Sequence, residues 1–237
     1  MPMPRITASQ LRSFRLIKEK IPIQNIPSQE AWRDASDDDV WIRVVSQVVV
    51  IGNASPAAKL WTPPIRKRIG WKNMTKLPEA EARKEIWSVL REIGTRWCGQ
   101  KCPKADGLMR NLKFLRDYPG GPKGFLKDVA TLDGSSLKKV NFVGEHLSYI
   151  KDKGARDFLT TGFGLVRDCI AFDTRIRGVI REIGVQIPES VKADSAQYEN
   201  YERLLINEVC RPLHITGAQL DQLLFNNSKE IINMLKR

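Results

Sequence analysis

Histidine is almost missing from this 237-residue chain, which carries only His146 and His214. The four cysteines are equally sparse: Cys98 and Cys102 stand close together, while Cys169 and Cys210 are isolated. No four-ligand zinc spacing results, and no metal is expected. The acidic run Ser36 to Asp39 lacks the glycine of a calcium loop and reads as a helix cap. Cysteines without a framework point to free or buried thiols in a reducing compartment. Long apolar runs are missing too. The longest apolar-rich stretch, Val40 to Ile51, is interrupted by Arg43, Ser46 and Gln47 and cannot span a bilayer. The opening Met1-Pro2-Met3-Pro4-Arg5 lacks the apolar core of a signal peptide. An intracellular protein with no membrane partner is expected.

What the chain has in surplus is positive charge. Lys and Arg number 39 against 27 Asp and Glu, a formal charge of +12. Such an excess favours a polyanionic partner, nucleic acid above all, because Lys and Arg displace its condensed counterions. A basic helical interaction protein indifferent to DNA is the alternative. At 42% hydrophobic and 28% charged residues the composition is that of a folded globular protein. The length suits one large domain or two small ones.

The periodicity is helical. Ile86, Val89, Leu90, Ile93 and Trp97 recur at the spacing of one helix face, as do Leu108, Leu112 and Leu115. Pro119-Gly120-Gly121-Pro122 stops the second of these helices. Ser55-Pro56 reads as a cap followed by a first-turn proline. Tyr201, Leu204, Leu205 and Val209 mark another amphipathic helix, and Thr216 and Ser228 stand as caps for two short final ones. Val40 to Ile51 is rich in β-branched residues, but no partner strand is visible to take its hydrogen bonds, so it reads as a buried helix. An all-α fold follows. Trp87 and Trp97 fall on an apolar helical face and are assigned to the core.

The most specific stretch runs from Leu147 through Lys153, Ala155, Phe158, Leu159, Thr161, Phe163 and Gly164, then through Ile170-Ala171-Phe172-Asp173-Thr174-Arg175-Ile176. It resembles the core signature of the endonuclease III superfamily of helix-hairpin-helix DNA glycosylases. In that signature a hairpin is followed by K-T-A, a helix ending near T-A-F-G, and then I-A-V-D-T-H-I. From Lys153 to Gly164 the correspondence needs no gap. Phe158 and Leu159 follow the Lys-x-Ala-x-x-Phe-Leu version of the bacterial and archaeal 8-oxoguanine glycosylases.

Two departures stand out. The hairpin of the family reads Leu-Pro-Gly-Val-Gly, whereas this chain has Leu147-Ser148-Tyr149-Ile150-Lys151 and neither glycine. Those glycines let backbone amides approach a DNA phosphate; here Lys151 can substitute a charge. The cluster-binding cysteines of many endonuclease III relatives are also missing, which moves the resemblance toward the 8-oxoguanine branch.

The resemblance implies Lys153 as nucleophile and Asp173 as catalytic carboxylate. A carboxylate stabilises the oxocarbenium character that develops as an N-glycosidic bond breaks. An unprotonated lysine attacks the sugar carbon, forms a Schiff base and promotes strand cleavage. Burial or neighbouring cations such as Lys151 would lower its pKa. The residues alone leave other roles open: Lys153 as a solvated lysine beside the equally nucleophilic Lys151, and Asp173 as the N-cap of a helix reaching about Glu182. Gln47 fills the gap left by a flipped base or hydrogen-bonds in the interior of a buried helix. Arg66, Lys67, Arg68 and Lys72, around Trp71, form a DNA-contacting patch or a solvated face.

The implied architecture is a discontinuous helical domain of residues 1–35 plus 165–237, and a helical bundle of 36–164 ending in the helix-hairpin-helix. DNA would lie in the cleft between them. The implied activity is removal of an oxidised purine, 8-oxoguanine first, by base flipping from double-stranded DNA, with Schiff-base lyase activity. No cofactor is needed, and a monomer in the cytoplasm with the nucleoid, or in a nucleus, is expected. The rival readings are a monofunctional glycosylase for mismatched or alkylated bases and a non-catalytic DNA-binding helical module.

Overall fold

The computed structural model describes residues 5–187 and 196–236. Of the opening pentapeptide read above, only Arg5 falls within them. All regular structure among the described residues is helical, as the periodicity predicts. Contacts divide the chain into two compact units, Glu30–Phe158 and a discontinuous one of Met1–Gln29 with Leu159–Arg237. The sequence reading drew these limits at 35/36 and 164/165.

The chain enters the discontinuous unit through α1 (Ala8–Lys20). The continuous unit then runs through a 3₁₀ turn (Ala31–Asp34), α2 (Asp37–Val49), α3 (Pro56–Leu60), α4 (Pro63–Ile69) and α5 (Trp71–Met74). It continues through α6 (Glu79–Glu92), α7 (Pro103–Asp117), α8 (Gly121–Thr131), α9 (Ser136–His146) and α10 (Asp152–Asp157). Ser36 and Asp39 start α2 with a reciprocal capping box, each side chain accepting from the other's backbone N–H. Val40, Trp41, Ile42, Val44, Val45, Val48 and Val49 are completely buried, because α2 is packed by α3, α5, α7 and α8. This settles the strand-like composition of the segment. A β-branched residue costs a helix a few tenths of a kcal/mol, whereas burying its side chain contributes about 1.5–3 kcal/mol. Burial wins.

Five local expectations need correction, the last being the free thiols expected at Cys98 and Cys102. Trp97 lies beyond α6, which Gly94 ends at φ 81°, and the indole is 57% exposed at a φ of 64°. Trp87 is half-buried with its indole N–H donating to the Gly99 carbonyl at 3.0 Å. Ser55 does not cap α3 through its side chain; Pro56 does occupy the first turn. Ser228 is the first residue of its helix, not a cap. Cys98 and Cys102 are joined as a disulfide, since the loop between α6 and α7 brings their Cα atoms to 4.3 Å. Cys169 and Cys210 are free and buried, and burial pushes the Cys210 thiol up to about 12, which makes it unreactive.

A π-helical turn, Phe158–Gly162, prolongs α10 into the discontinuous unit. There follow α11 (Thr174–Glu182), α12 (Ala196–Leu205) with a π-helical extension Ile206–Cys210, α13 (Gly217–Asn226) and α14 (Ser228–Leu235). Thr216 caps α13 with Gln219 in a further capping box, as Thr7 does α1 with Gln10. The core of this unit combines Phe14 and Ile17 of α1, Ile176, Val179 and Ile180 of α11, and Leu220, Leu223 and Leu224 of α13. Among the described residues no helix is long and apolar enough to cross a membrane.

Candidate active site

The hairpin segment forms a turn between α9 and α10 without its glycines. Tyr149, at the first glycine position, adopts φ 66°, the left-handed conformation that a glycine would take freely. Two features hold it there. Asn111 of α7 clamps the preceding residue, its Oδ1 accepting from Ser148 N at 2.6 Å and its Nδ2 donating to Ser148 O at 3.0 Å. The Tyr149 ring fills the space over Gly107, where an added Cβ would meet ring carbons at 2.3 and 2.6 Å. Lys151, at the second glycine position, turns its ammonium back to the Gly144 carbonyl at 2.9 Å, closing the end of α9.

Lys153 stands in the first turn of α10 and is exposed. The rest of its motif is mainly packing: Ala155, Phe158 and Leu159 are fully buried. Gln47 is also buried, at 5% exposure, and donates from Nε2 to Asp157 Oδ2 at 2.5 Å. It ties α2 to the helix that carries Lys153. The bond is interior and reaches a second helix. Arg43, half-buried one turn before Gln47, has its guanidinium pKa lowered by burial, partly offset by the charge of Asp157.

In the other unit, Asp173 is the N-cap of α11, its Oδ1 accepting from Ile176 N at 2.8 Å. Among the described residues no strand neighbours the three residues before it, and Phe172 N turns back to Ile170 O at 3.1 Å. Their amides are satisfied by side chains instead: Ile170 N donates to Glu202 at 2.7 Å, Ala171 N to Asp221 at 2.7 Å, and Phe172 N to the Tyr198 hydroxyl at 2.9 Å. That hydroxyl donates in turn to Ile170 O at 2.7 Å. Sequence reasoning missed all three acceptors. Their only signal is a polar residue on the buried side of an amphipathic helix. Gly164, the motif glycine, has φ 66°, and a Cβ there would lie 2.3 Å from Ser28 O and 2.4 Å from Pro27 O. Only glycine fits that close approach.

The basic patch divides into two kinds of residue. Arg66 is committed to Asp38 at 3.2 Å and Asp39 at 2.9 Å, and Arg68 to Glu85 and Glu92, each at 2.5 Å. Lys67 and Lys72 are exposed. With Trp61, Arg66 and Lys76 they line an open groove of about 650 Å³. The guanidinium groups of Arg43 and Arg66 lie 5.8 and 5.6 Å from the centre of the Trp61 ring. Among the described residues no group of three His, Cys, Asp or Glu side chains is arranged to hold a metal ion.

No protein-family model matches the chain, and no curated protein does. Solved structures do. The chain is similar to the 8-oxoguanine DNA glycosylase of Methanocaldococcus jannaschii, with TM-score 0.62 and 16% identity over 89% of this chain and 85% of that one. The glycosylase/lyase of that organism in complex with a 15mer DNA containing 8-oxoguanine gives TM-score 0.59 and 15% identity, over 94% and 89%. The 8-oxoguanine DNA glycosylase of Thermotoga maritima gives TM-score 0.59 and 20% identity, over 91% and 86%. The fold is therefore that of the archaeal and bacterial 8-oxoguanine DNA glycosylases, with most of both chains aligned.

Proposed function

We propose that the protein is a base-excision DNA glycosylase that removes an oxidised purine, 8-oxoguanine first, from double-stranded DNA and then cleaves the strand as a lyase. The observation that carries this reading is the coincidence of a shared glycosylase fold with the Lys153 to Asp173 motif, each of whose two chemical residues begins a helix.

In the proposed reaction the Asp173 carboxylate stabilises positive charge on the deoxyribose as the C1′–N9 bond breaks, with the bonding electrons leaving on the base. The unprotonated Lys153 amine bonds to C1′ as the base departs and gives up one proton, and the C1′–O4′ bond then breaks, its electrons and a proton going to O4′ as the sugar ring opens to a protonated Schiff base. Elimination from C2′ then breaks the C3′–O bond. The exposed Lys67 and Lys72, with Lys76, would neutralise phosphates of the duplex, and Lys151 is available for another. Arg66 and Arg68, already paired with carboxylates, contribute less charge to DNA than their number suggests.

Release of free base from duplexes that each carry one lesion tests this. We expect 8-oxoguanine to be excised, and Asp173→Asn to slow its release about a hundredfold or more. Equal inactivity toward every lesion duplex would overturn the proposal. Preference for an alkylated or mismatched base, released without strand cleavage, would replace it with a monofunctional activity.

A further inference from the structure

The backbone that delivers Asp173 has an uncommon construction. Residues Ile170, Ala171 and Phe172 are 0%, 7% and 5% exposed, so their polar groups are out of reach of bulk water. Buried backbone polar groups need partners, and the described residues include no strand to supply them; within the segment only Phe172 N reaches a backbone oxygen, Ile170 O at 3.1 Å. Three consecutive amides are instead bonded one by one to Glu202, Asp221 and Tyr198, from α12 and α13. Glu202 and Asp221 are themselves 8% and 4% exposed, and Tyr198 is 1% exposed. The Tyr198 hydroxyl closes a small ring, accepting from Phe172 N and donating to Ile170 O. Its phenol ring also meets the Phe172 ring edge-on at 4.9 Å.

We infer that Tyr198, Glu202 and Asp221 are positioning residues, which fix the Ile170–Phe172 backbone and thereby the Asp173 carboxylate at the head of α11. This rests on the proposed glycosylase reading and identifies what sets the geometry of its carboxylate. Packing alone does not require this construction, since apolar side chains would fill the same volume without burying two carboxylates. Electrostatic stabilisation of a developing cation does require a carboxylate held to within about half an ångström. A bonded amide on each of the three preceding residues leaves the segment no freedom to rotate as a unit. Tyr198 is the most informative position, because of the three side chains it is the one that bonds both ends of the segment, reinforcing the Phe172 N to Ile170 O turn.

The test is single-turnover excision from an 8-oxoguanine duplex, alongside the dissociation constant for an uncleavable abasic-analogue duplex. Tyr198→Phe keeps the ring on Phe172 and removes both hydroxyl bonds. It should slow excision about 10- to 100-fold and leave DNA affinity within about twofold. Glu202→Gln retains an acceptor for Ile170 N and should keep most of the rate, whereas Glu202→Leu should lose it. In an Asp173→Asn background, Tyr198→Phe should cost little more, because both changes act through one carboxylate. A full additional loss in that background, or an unchanged rate in Tyr198→Phe, would overturn the positioning role while leaving the glycosylase reading intact. An inactive wild-type protein would overturn both.

Discussion

Asp173 and Lys153 each stand at the start of a helix, and the protein treats them in opposite ways. Asp173 caps the nine-residue α11 with its carboxylate on Ile176 N, behind three individually bonded amides. Lys153 stands on the six-residue α10 with its side chain in solvent, after a turn whose tyrosine occupies a left-handed conformation. The contrast matches what the two groups are proposed to do. A carboxylate that stabilises charge works only if it does not reorganise. A lysine that forms a covalent bond must travel to a sugar carbon. Fixing its side chain beforehand would cost up to about 2 kcal/mol of rotamer entropy.

Substitutions at and around the two residues should break this contrast unequally. The largest effect belongs to Asp173→Asn. Asparagine caps a helix as well as aspartate does, so thermal stability should change by less than about 1 kcal/mol. Excision should nevertheless fall about 10² to 10³-fold, on the scale of losing one preorganised electrostatic group. Equal loss of stability and rate would show that the cap, and not the charge, is what Asp173 supplies.

Next in size is Gly164→Ala, measured by chemical denaturation. The new methyl would press on two backbone oxygens at 2.3 and 2.4 Å in a residue at φ 66°, and neither neighbour can swing away. A loss of about 3 kcal/mol is expected. Gly107→Ala should cost less, about 1–2 kcal/mol, because the neighbour it meets is the Tyr149 ring, which can rotate. If Gly107→Ala proves the costlier change, the turn before Lys153 is held as firmly as the segment before Asp173, and the contrast fails.

A further prediction concerns Lys104, a lysine buried in the continuous unit. At 1% exposure its ammonium donates to Ile51 O at 2.7 Å, and burial together with the nearby Arg96 charge lowers its pKa from 10.5 to about 8. The buried cation therefore costs stability below pH 8, and the cost is relieved as pH rises toward 10.5. Denaturation across that window should show the wild type gaining on Lys104→Met by on the order of 1 kcal/mol per pH unit. A flat difference would contradict the assignment.

The helices and the motif were legible in the sequence because both are written in local spacing. Ile86, Val89 and Leu90 declare one face of α6, and Ser36 and Asp39 declare a cap at a separation of three. Even the β-branched α2 was readable by asking where its hydrogen bonds go. What escaped depends on contacts between distant segments. Trp97 keeps the helical period of α6, yet the chain has already turned at Gly94. Arg66 and Lys67 look alike in sequence, and only the approach of α2 to α4 shows that one is paired with carboxylates while the other is exposed. Asn111, like Glu202 and Asp221, left only a faint trace, a polar residue between Leu108, Leu112 and Leu115 on an otherwise apolar face.

The contrast between a fixed carboxylate and an accessible amine is tested most directly by borohydride trapping on an 8-oxoguanine duplex. A covalent protein–DNA adduct should form, persist in Lys151→Gln and in Lys104→Met, and disappear in Lys153→Gln. An adduct that survives Lys153→Gln and vanishes with Lys151, or base release by the wild type with no adduct at all, would contradict it.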